Sequence, residues 1–349
     1  MAASGADEGA VQVRRPTMRD VAARAGVSLK TVSRVVNAEA GVSAQLIAQV
    51  HLAIDELGFR PNAGASSLRR ADGKTATVGL LLEDADNPYS SAVHRAVQDV
   101  ALPRGVMVFS ASHDEDPQRE RQLAMALIER RADGLILVPA GDDQGYLTAE
   151  LRAGTAIVCV DRQARGLAAD SVVTTNRAGA AEGVLHLATW GHRRIGYLGD
   201  RPEIITAQER LEGYLDALDV LGRPPEPGLV VQGLREPGSA ERAVLELFRS
   251  ADPPTALFSA QNLVTIGAVR GLRRLGLEHR VAMVGFDDFP LADLLRPAIT
   301  VVAQDPARIG RTAATVLFAR LAGDRTPPRV HVVPTTLIAR GSGEIPPPA

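Results

Sequence analysis

The chain has 349 residues, of which 45% are hydrophobic and 23% charged, with a formal net charge of −2. The length suffices for two domains with buried cores, and the composition excludes a chain disordered throughout. As an average the charge argues against a nucleic-acid binder, but its distribution argues the other way: from Arg14 to Lys74 there are 10 Lys/Arg against 5 Asp/Glu. The chain has only two lysines, Lys30 and Lys74, and both fall in that stretch. A small basic head on an acidic body is the asymmetry of a nucleic-acid-binding module joined to something else. The one cysteine, Cys159, excludes an internal disulfide framework. In the apolar run 156–160 it reads as a small buried hydrophobe in a reducing compartment. No apolar run approaches the ~18–20 residues that span a membrane. Residues 1–15 are expected to be a disordered leader. Up to Val13 they lack the apolar core of a secretory signal, so the protein is expected to be cytoplasmic.

Residues 16–60 predict an all-α helix-turn-helix head. Thr17 and Asp20 form a capping-box variant that opens a helix with Val21, Ala22 and Ala25 inward, ending at Gly26. Ser28 caps a second helix with Val32, Val35 and Val36 inward. Ser43 caps a third, with Ile47, Val50, Ile54 and Leu57 at helical spacing. In such a motif the second helix enters the DNA major groove with its N-terminal residues on base edges. Leu29, Lys30 and Arg34 are therefore the candidate readers: Lys30 and Arg34 share a face and can donate to guanine, and Leu29 can meet a thymine methyl. Thr17, Ser28, Thr31, Ser33 and Asn37 are short polar groups suited to phosphate oxygens.

The run of residues 18–37 (MRDVAARAGVSLKTVSRVVN), with Gly41-Val42-Ser43 and Leu57-Gly58-Phe59-Arg60-Pro61-Asn62, closely resembles the head of the lactose-repressor family of bacterial transcription regulators. The resemblance extends over nearly the whole chain. It departs at Leu46-Ile47, where the family usually has a polar pair, so phosphate contacts are expected to be lost there and packing gained.

Residues 61–74 are rich in Ala, Gly, Ser and Arg and read as a linker. The resemblance implies a hinge helix that forms on DNA and inserts an apolar wedge in the minor groove, with Asn62, Ala65 and Leu68 at the contacting positions. Gly64 departs from the pattern and costs the helix ~1 kcal/mol relative to Ala.

From residue 75 to 349 the chain alternates strand and helix signals, which implies parallel sheets with helices on both faces. Strands are expected at 78–82, 106–110, 134–138, 156–160, 195–198, 256–259 and 282–286, and helices at 90–102, 118–131, 180–189 and 207–221. The length calls for two lobes, a Rossmann-like body of the type I periplasmic-binding-protein kind. The expected bounds are about 75–173 with 305–332 for the first lobe, and about 174–304 with 333–343 for the second. A ligand would sit between them at the carboxyl ends of the strands. The strings Val160-Asp161-Arg162, Arg210-Leu211-Glu212-Gly213-Tyr214 and Val284-Gly285-Phe286-Asp287-Asp288 resemble the same family. By that resemblance Tyr89, Asp161, Arg162, Thr206, Arg210, Gln261, Asp287 and Gln304 fall where family members contact effectors. Family members often read Asn-Asp where this chain has Gln261-Asn262, which removes a carboxylate. His192 reads as part of a structural Gly-His turn.

No Ser/His/Asp set, metal-ligand cluster or phosphate-loop glycine string is present, so no enzyme activity, cofactor or metal is expected. No heptad repeat follows Arg340, which argues against a coiled-coil tail. The expected function is a sequence-specific, ligand-responsive transcriptional regulator, a repressor, acting as a homodimer on a pseudo-palindromic double-stranded DNA operator. Its small-molecule effector is expected to be a sugar, with a nucleoside or purine as the alternative. A solute-binding protein for transport and an enzyme on an α/β scaffold are the readings from other classes.

Overall fold

The computed structural model describes residues 14–37, 39–60 and 74–348. The chain divides into two compact units, Met1–Thr75 and Ala76–Ala349.

In the first unit, α1 (Met18–Ala25), α2 (Leu29–Val36) and α3 (Ala44–Leu57) surround a small core of Val21, Ala25, Val32, Val35, Val50, Ala53 and Phe59. The capping box forms: the Asp20 amide donates to the Thr17 hydroxyl at 3.4 Å, and the Thr17 amide donates to the Asp20 carboxylate at 2.7 Å. Gly26 takes the left-handed φ of 61° that closes α1 and starts the turn. Ile47 does not join the inward stripe; it is 38% exposed, while Val50 and Ala53 are buried. At ~100° per residue, Ile47 lies about a quarter-turn round α3 from the line through Val50, Ala53 and Leu57. Leu46 is half-buried, so the expected gain in packing does not extend to Ile47.

The second unit holds two six-stranded sheets. The first contains β1 (Thr77–Leu82), β2 (Met107–Ser112), β3 (Gly134–Leu137), β4 (Ala156–Asp161), β5 (Asp170–Thr174) and, from far along the chain, β11 (Val330–Val333). Its order is β11-β5-β4-β3-β1-β2, all parallel. The second contains β6 (Ile195–Leu198), β7 (Val230–Val231), β8 (Ala256–Ser259), β9 (Ala282–Phe286), β10 (Thr300–Ala303) and β12 (Thr336–Ile338). Its order is β12-β10-β9-β8-β6-β7, parallel except for antiparallel β12. All seven expected strand segments form. Five further strands, β5, β7, β10, β11 and β12, escaped sequence reading, and β5, β10, β11 and β12 border the places where the chain changes lobe.

Central strands such as β4 are buried at every residue because helices cover both faces. In the first lobe, α4 (Pro88–Ala101) and α11 (Pro306–Leu321) cover the face of Leu80 and Val158. The opposite face, with Leu81 and Cys159, packs against α5 (Pro117–Glu129) and α6 (Thr148–Ala153). In the second lobe, α7 (Asn176–Thr189) and α8 (Ile205–Val220) cover Tyr197 and Phe258, and α9 (Pro237–Leu247) and α10 (Asn262–Leu275) cover Leu257 and Met283. Cys159 is buried and its thiol is pushed up to about 12 by burial, so it is a core residue. His192 is fully buried between the Thr255 hydroxyl (2.9 Å) and the Ile345 carbonyl (2.8 Å). No helix among the described residues is long and apolar enough to cross a membrane.

The helices α7 and α8 meet at Gly213, where an added Cβ would lie 2.1 Å from the Arg177 carbonyl oxygen. Gly213→Ala is therefore expected to lose about 1–3 kcal/mol through overpacking, opposite in sign to the ~1 kcal/mol that Ala gains over Gly in an unhindered helix. Gly238→Ala, whose nearest neighbour would be the Arg242 guanidinium at 3.6 Å, is the control. Urea midpoints measure both, and a stabilised Gly213→Ala would contradict this packing.

Candidate nucleic-acid interface and interlobe cleft

At the start of α2, Leu29 and Lys30 are exposed. The Ser28 hydroxyl accepts from the Thr31 amide at 3.1 Å and lies 2.9 Å from the Thr31 hydroxyl, which fixes the first turn. The exposed amides of that turn add a partial positive charge favourable to phosphate. Arg34 is turned back onto the following loop, donating to the Ala40 carbonyl at 2.6 Å with Glu39 at 3.5 Å. Asn37 donates to the Ser33 hydroxyl at 3.4 Å. The Thr17 hydroxyl donates to Asp20 at 2.7 Å, so its first task is capping. Asn62, Ala65 and Leu68, with Gly64, lie outside the described residues.

In the second unit the strand ends of the two lobes converge. Asp161 closes β4 and Asp287 follows β9, and these strands hold the third place in their respective sheets. Both aspartates take a left-handed backbone, φ 70° and φ 68°, which side-chain-bearing residues rarely adopt. Arg162 is buried and donates twice to Asp161 (3.0 and 2.9 Å) and as a fork to Glu115 (2.9 and 2.8 Å). Those two carboxylates hold its guanidinium above the ordinary arginine range, against the opposing effect of burial. Arg210 donates to Asn176 (2.9 Å), the Ala260 carbonyl (2.8 Å) and Asp287 (3.3 Å), with its guanidinium 4.0 Å from the Phe286 ring centre. Gln304 donates to the other Asp287 oxygen at 2.7 Å. Burial pushes the Asp287 carboxyl up despite Arg210 and Gln304.

Tyr89, Asp287 and Gln304 line a cavity of about 370 Å³. A second, of about 260 Å³, is lined by Glu83, Asn87, Glu115, Asp200, Arg235 and Gln261 among others. Asp161, Arg162 and Arg210 are buried, behind these linings rather than in them, and Thr206 is buried at the start of α8 and lines neither cavity. The Gln261 side-chain oxygen Oε1 accepts from the Val264 amide and caps α10. Its neighbour Asn262 donates across the cleft to Asn87 at 2.9 Å, and Arg235 donates across it to the Asp114 carbonyl at 3.0 Å. The Tyr89 hydroxyl, Glu83 Oε2 and Gln304 Oε1 are enclosed and have no hydrogen-bond partner in the protein. Glu83, Glu115 and Asn176 were missed by sequence reasoning. Glu83 had a usable signal, since it directly follows the apolar run of β1 just as Asp287 follows β9.

Burial first, and Asp161 second, raise the Glu83 carboxyl from 4.5 to about 7. The folded state thus holds this proton more tightly than the unfolded one, and stability falls as pH rises from about 4.5 through 7. Glu83→Gln is expected to equal the parent near pH 5 and to exceed it by about 2 kcal/mol at pH 8. Urea unfolding at the two pH values tests this, and an unchanged difference would contradict it.

Residues 17–62 match the pattern of bacterial regulatory proteins of the lacI family, and residues 184–343 match that of a periplasmic binding protein-like domain. The chain is 32% identical over 333 residues to the HTH-type transcriptional regulator GalR of Escherichia coli (strain K12), covering 95% of this chain and 96% of that one. It is similar to the solved lac repressor dimer bound to operator and the anti-inducer ONPF, with 25% identity, TM-score 0.83, and coverage of 95% and 99% of the two chains. It is likewise similar to the transcriptional regulator CelR–cellobiose complex, with 31% identity, TM-score 0.69, and coverage of 94% and 100%. The capped helix-turn-helix and the paired six-stranded sheets agree with both patterns, and the chain belongs to the lacI family of bacterial regulatory proteins.

Proposed function

We propose that this protein is a cytoplasmic transcriptional repressor that binds a pseudo-palindromic operator as a homodimer and releases or tightens it when a hydroxyl-rich small molecule occupies the cleft. The observation that carries the ligand part is the set of enclosed, unpartnered polar atoms in and beside the cleft: the Tyr89 hydroxyl, Glu83 Oε2 and Gln304 Oε1. Leaving such atoms unmatched costs free energy that a ligand with several hydroxyls would recover. The likeness to a cellobiose complex and to a lac repressor on its operator supports the same reading. For the homodimer, the support is the free edge of β2, where Met107 and Phe109 are 57% and 55% exposed.

Coupling follows from linkage. A ligand that bridges Tyr89 of the first lobe and Asp287 of the second favours one angle between the lobes. If operator binding favours a different angle, each partner weakens the other by the same factor. Asn262–Asn87 and Arg235–Asp114 are the protein's own contacts across that angle.

Two measurements test this proposal. Lys30→Ala is expected to cost about 1–3 kcal/mol of operator binding and to relax the preference at one base pair per half-site. Fluorescence anisotropy at fixed salt reads it, and a loss equal on specific and random DNA would remove Lys30 from base reading. Asp287→Asn keeps the shape and suits the left-handed backbone. It is expected to weaken the best ligand from a thermal-shift screen of sugars and nucleosides at least about tenfold, roughly 1.4 kcal/mol, while operator affinity without ligand stays unchanged. Unaltered ligand affinity would displace the site from this cleft.

A further inference from the structure

Arg34, in the last turn of α2, is held by the loop that follows that helix. Its Nη2 donates to the Ala40 carbonyl at 2.6 Å, and its Nε lies 3.5 Å from the Glu39 carboxylate. The loop is tied back to the helix in turn, because the Glu39 amide donates to the Arg34 carbonyl at 2.9 Å. Gly41 completes the wrap. Its φ is 86°, and a Cβ added there would lie 3.1 Å from Arg34 Nη2. A residue with a side chain would be strained in that backbone and would press on the guanidinium. Consecutive residues thus meet one surface arginine in different ways: Glu39 by a carboxylate, Ala40 by a carbonyl, Gly41 by the absence of a side chain.

These contacts use one edge of the guanidinium, Nε with Nη2. The other edge, Nη1 with the second Nη2 hydrogen, has no partner among the described residues. Two parallel N–H donors on a planar fork are what guanine O6 and N7 accept in the major groove. A surface ion pair adds little to stability, so the fold of the head does not depend on this one. What the pair does is restrict a long side chain before DNA arrives, which lowers the ordering cost of binding. We infer that Glu39 is a positioning residue for operator reading: with the Ala40 carbonyl and Gly41 it splints Arg34, so that the free Nη1–Nη2 edge is presented end-on to a guanine. This inference rests on the reading of α2 as the base-reading helix. It adds a residue outside that helix that decides how strictly one base pair is recognised.

The test begins by selecting a preferred duplex from a randomised palindromic library with the full-length protein. Fluorescence anisotropy at fixed salt then compares that duplex with versions in which each guanine of the half-site is replaced in turn by 7-deazaguanine, which lacks N7. For the parent, one such replacement is expected to weaken binding about tenfold, and Arg34→Ala is expected to erase that penalty. Glu39→Ala is expected to shrink the penalty at the same guanine about threefold or more, and to have no effect on it in the Arg34→Ala background. Glu56→Ala removes the same charge from an ion pair with Arg24 elsewhere in the head. It is expected to keep the parent's penalty, and it reports what loss of charge alone does to DNA affinity. If Glu39→Ala also keeps the parent's penalty, and only tightens every duplex as Glu56→Ala does, Glu39 is merely a charge near phosphate. That result overturns the inference and leaves Arg34 a reader. If no guanine loses its penalty in Arg34→Ala, the reading of Arg34 itself fails, and the inference with it.

Discussion

Thr175 and Thr335 lie on two of the three segments where the chain passes between lobes, and their hydroxyls are 2.9 Å apart. The Thr335 amide donates to the Thr175 hydroxyl at 3.0 Å, and the Thr174 hydroxyl donates to the Val333 carbonyl at 2.8 Å. The third crossing joins β10 to α11. With three strands of backbone crossing side by side, the lobes cannot separate, but the angle between them is set only by short connections and a few side chains. Hinges of this kind absorb rotation in a handful of dihedral angles. The cleft, its bridging contacts and any response to a ligand all depend on that restraint.

The two lobes repeat one topology, and the cleft is built from equivalent positions of the repeat. In each, the aspartate at the end of the third-ranked strand turns into the left-handed region, at a cost of order 1–2 kcal/mol. The strain is retained because a buried arginine holds each carboxylate: Arg162 from the adjacent residue, Arg210 from a helix. The symmetry is broken in the partners. Arg162 binds a second carboxylate, whereas Arg210 binds an amide, a carbonyl and an aromatic face. The first lobe is thereby the more negative side of the cleft.

Charge separates the tasks along the chain. The stretch from Arg14 to Lys74 is basic, and the rest carries the compensating acid. Part of that acid coats the surface, where it limits indiscriminate attraction to nucleic acid. Part of it is enclosed at the strand ends, where water cannot screen it.

Local signals were enough for the head. Thr17, Ser28 and Ser43 announce helix starts and Gly26 and Gly58 helix ends through interactions within a few residues, so capping needs no tertiary context. Apolar runs such as that of β4 are equally plain, because a strand covered on both faces has no polar side to show. Tertiary structure decided what depends on a distant partner. Ile47 fits an apolar period, but which side of α3 is inward is set by α1 and α2. Gln261 has the chemistry of a ligand-binding amide, yet its side-chain oxygen caps α10 while Asn262 reaches 175 residues back to Asn87. Glu83 is an ordinary glutamate in the sequence. Only burial beside Asp161 raises its carboxyl and leaves Oε2 without a hydrogen-bond partner, and that environment exists only in the folded lobe.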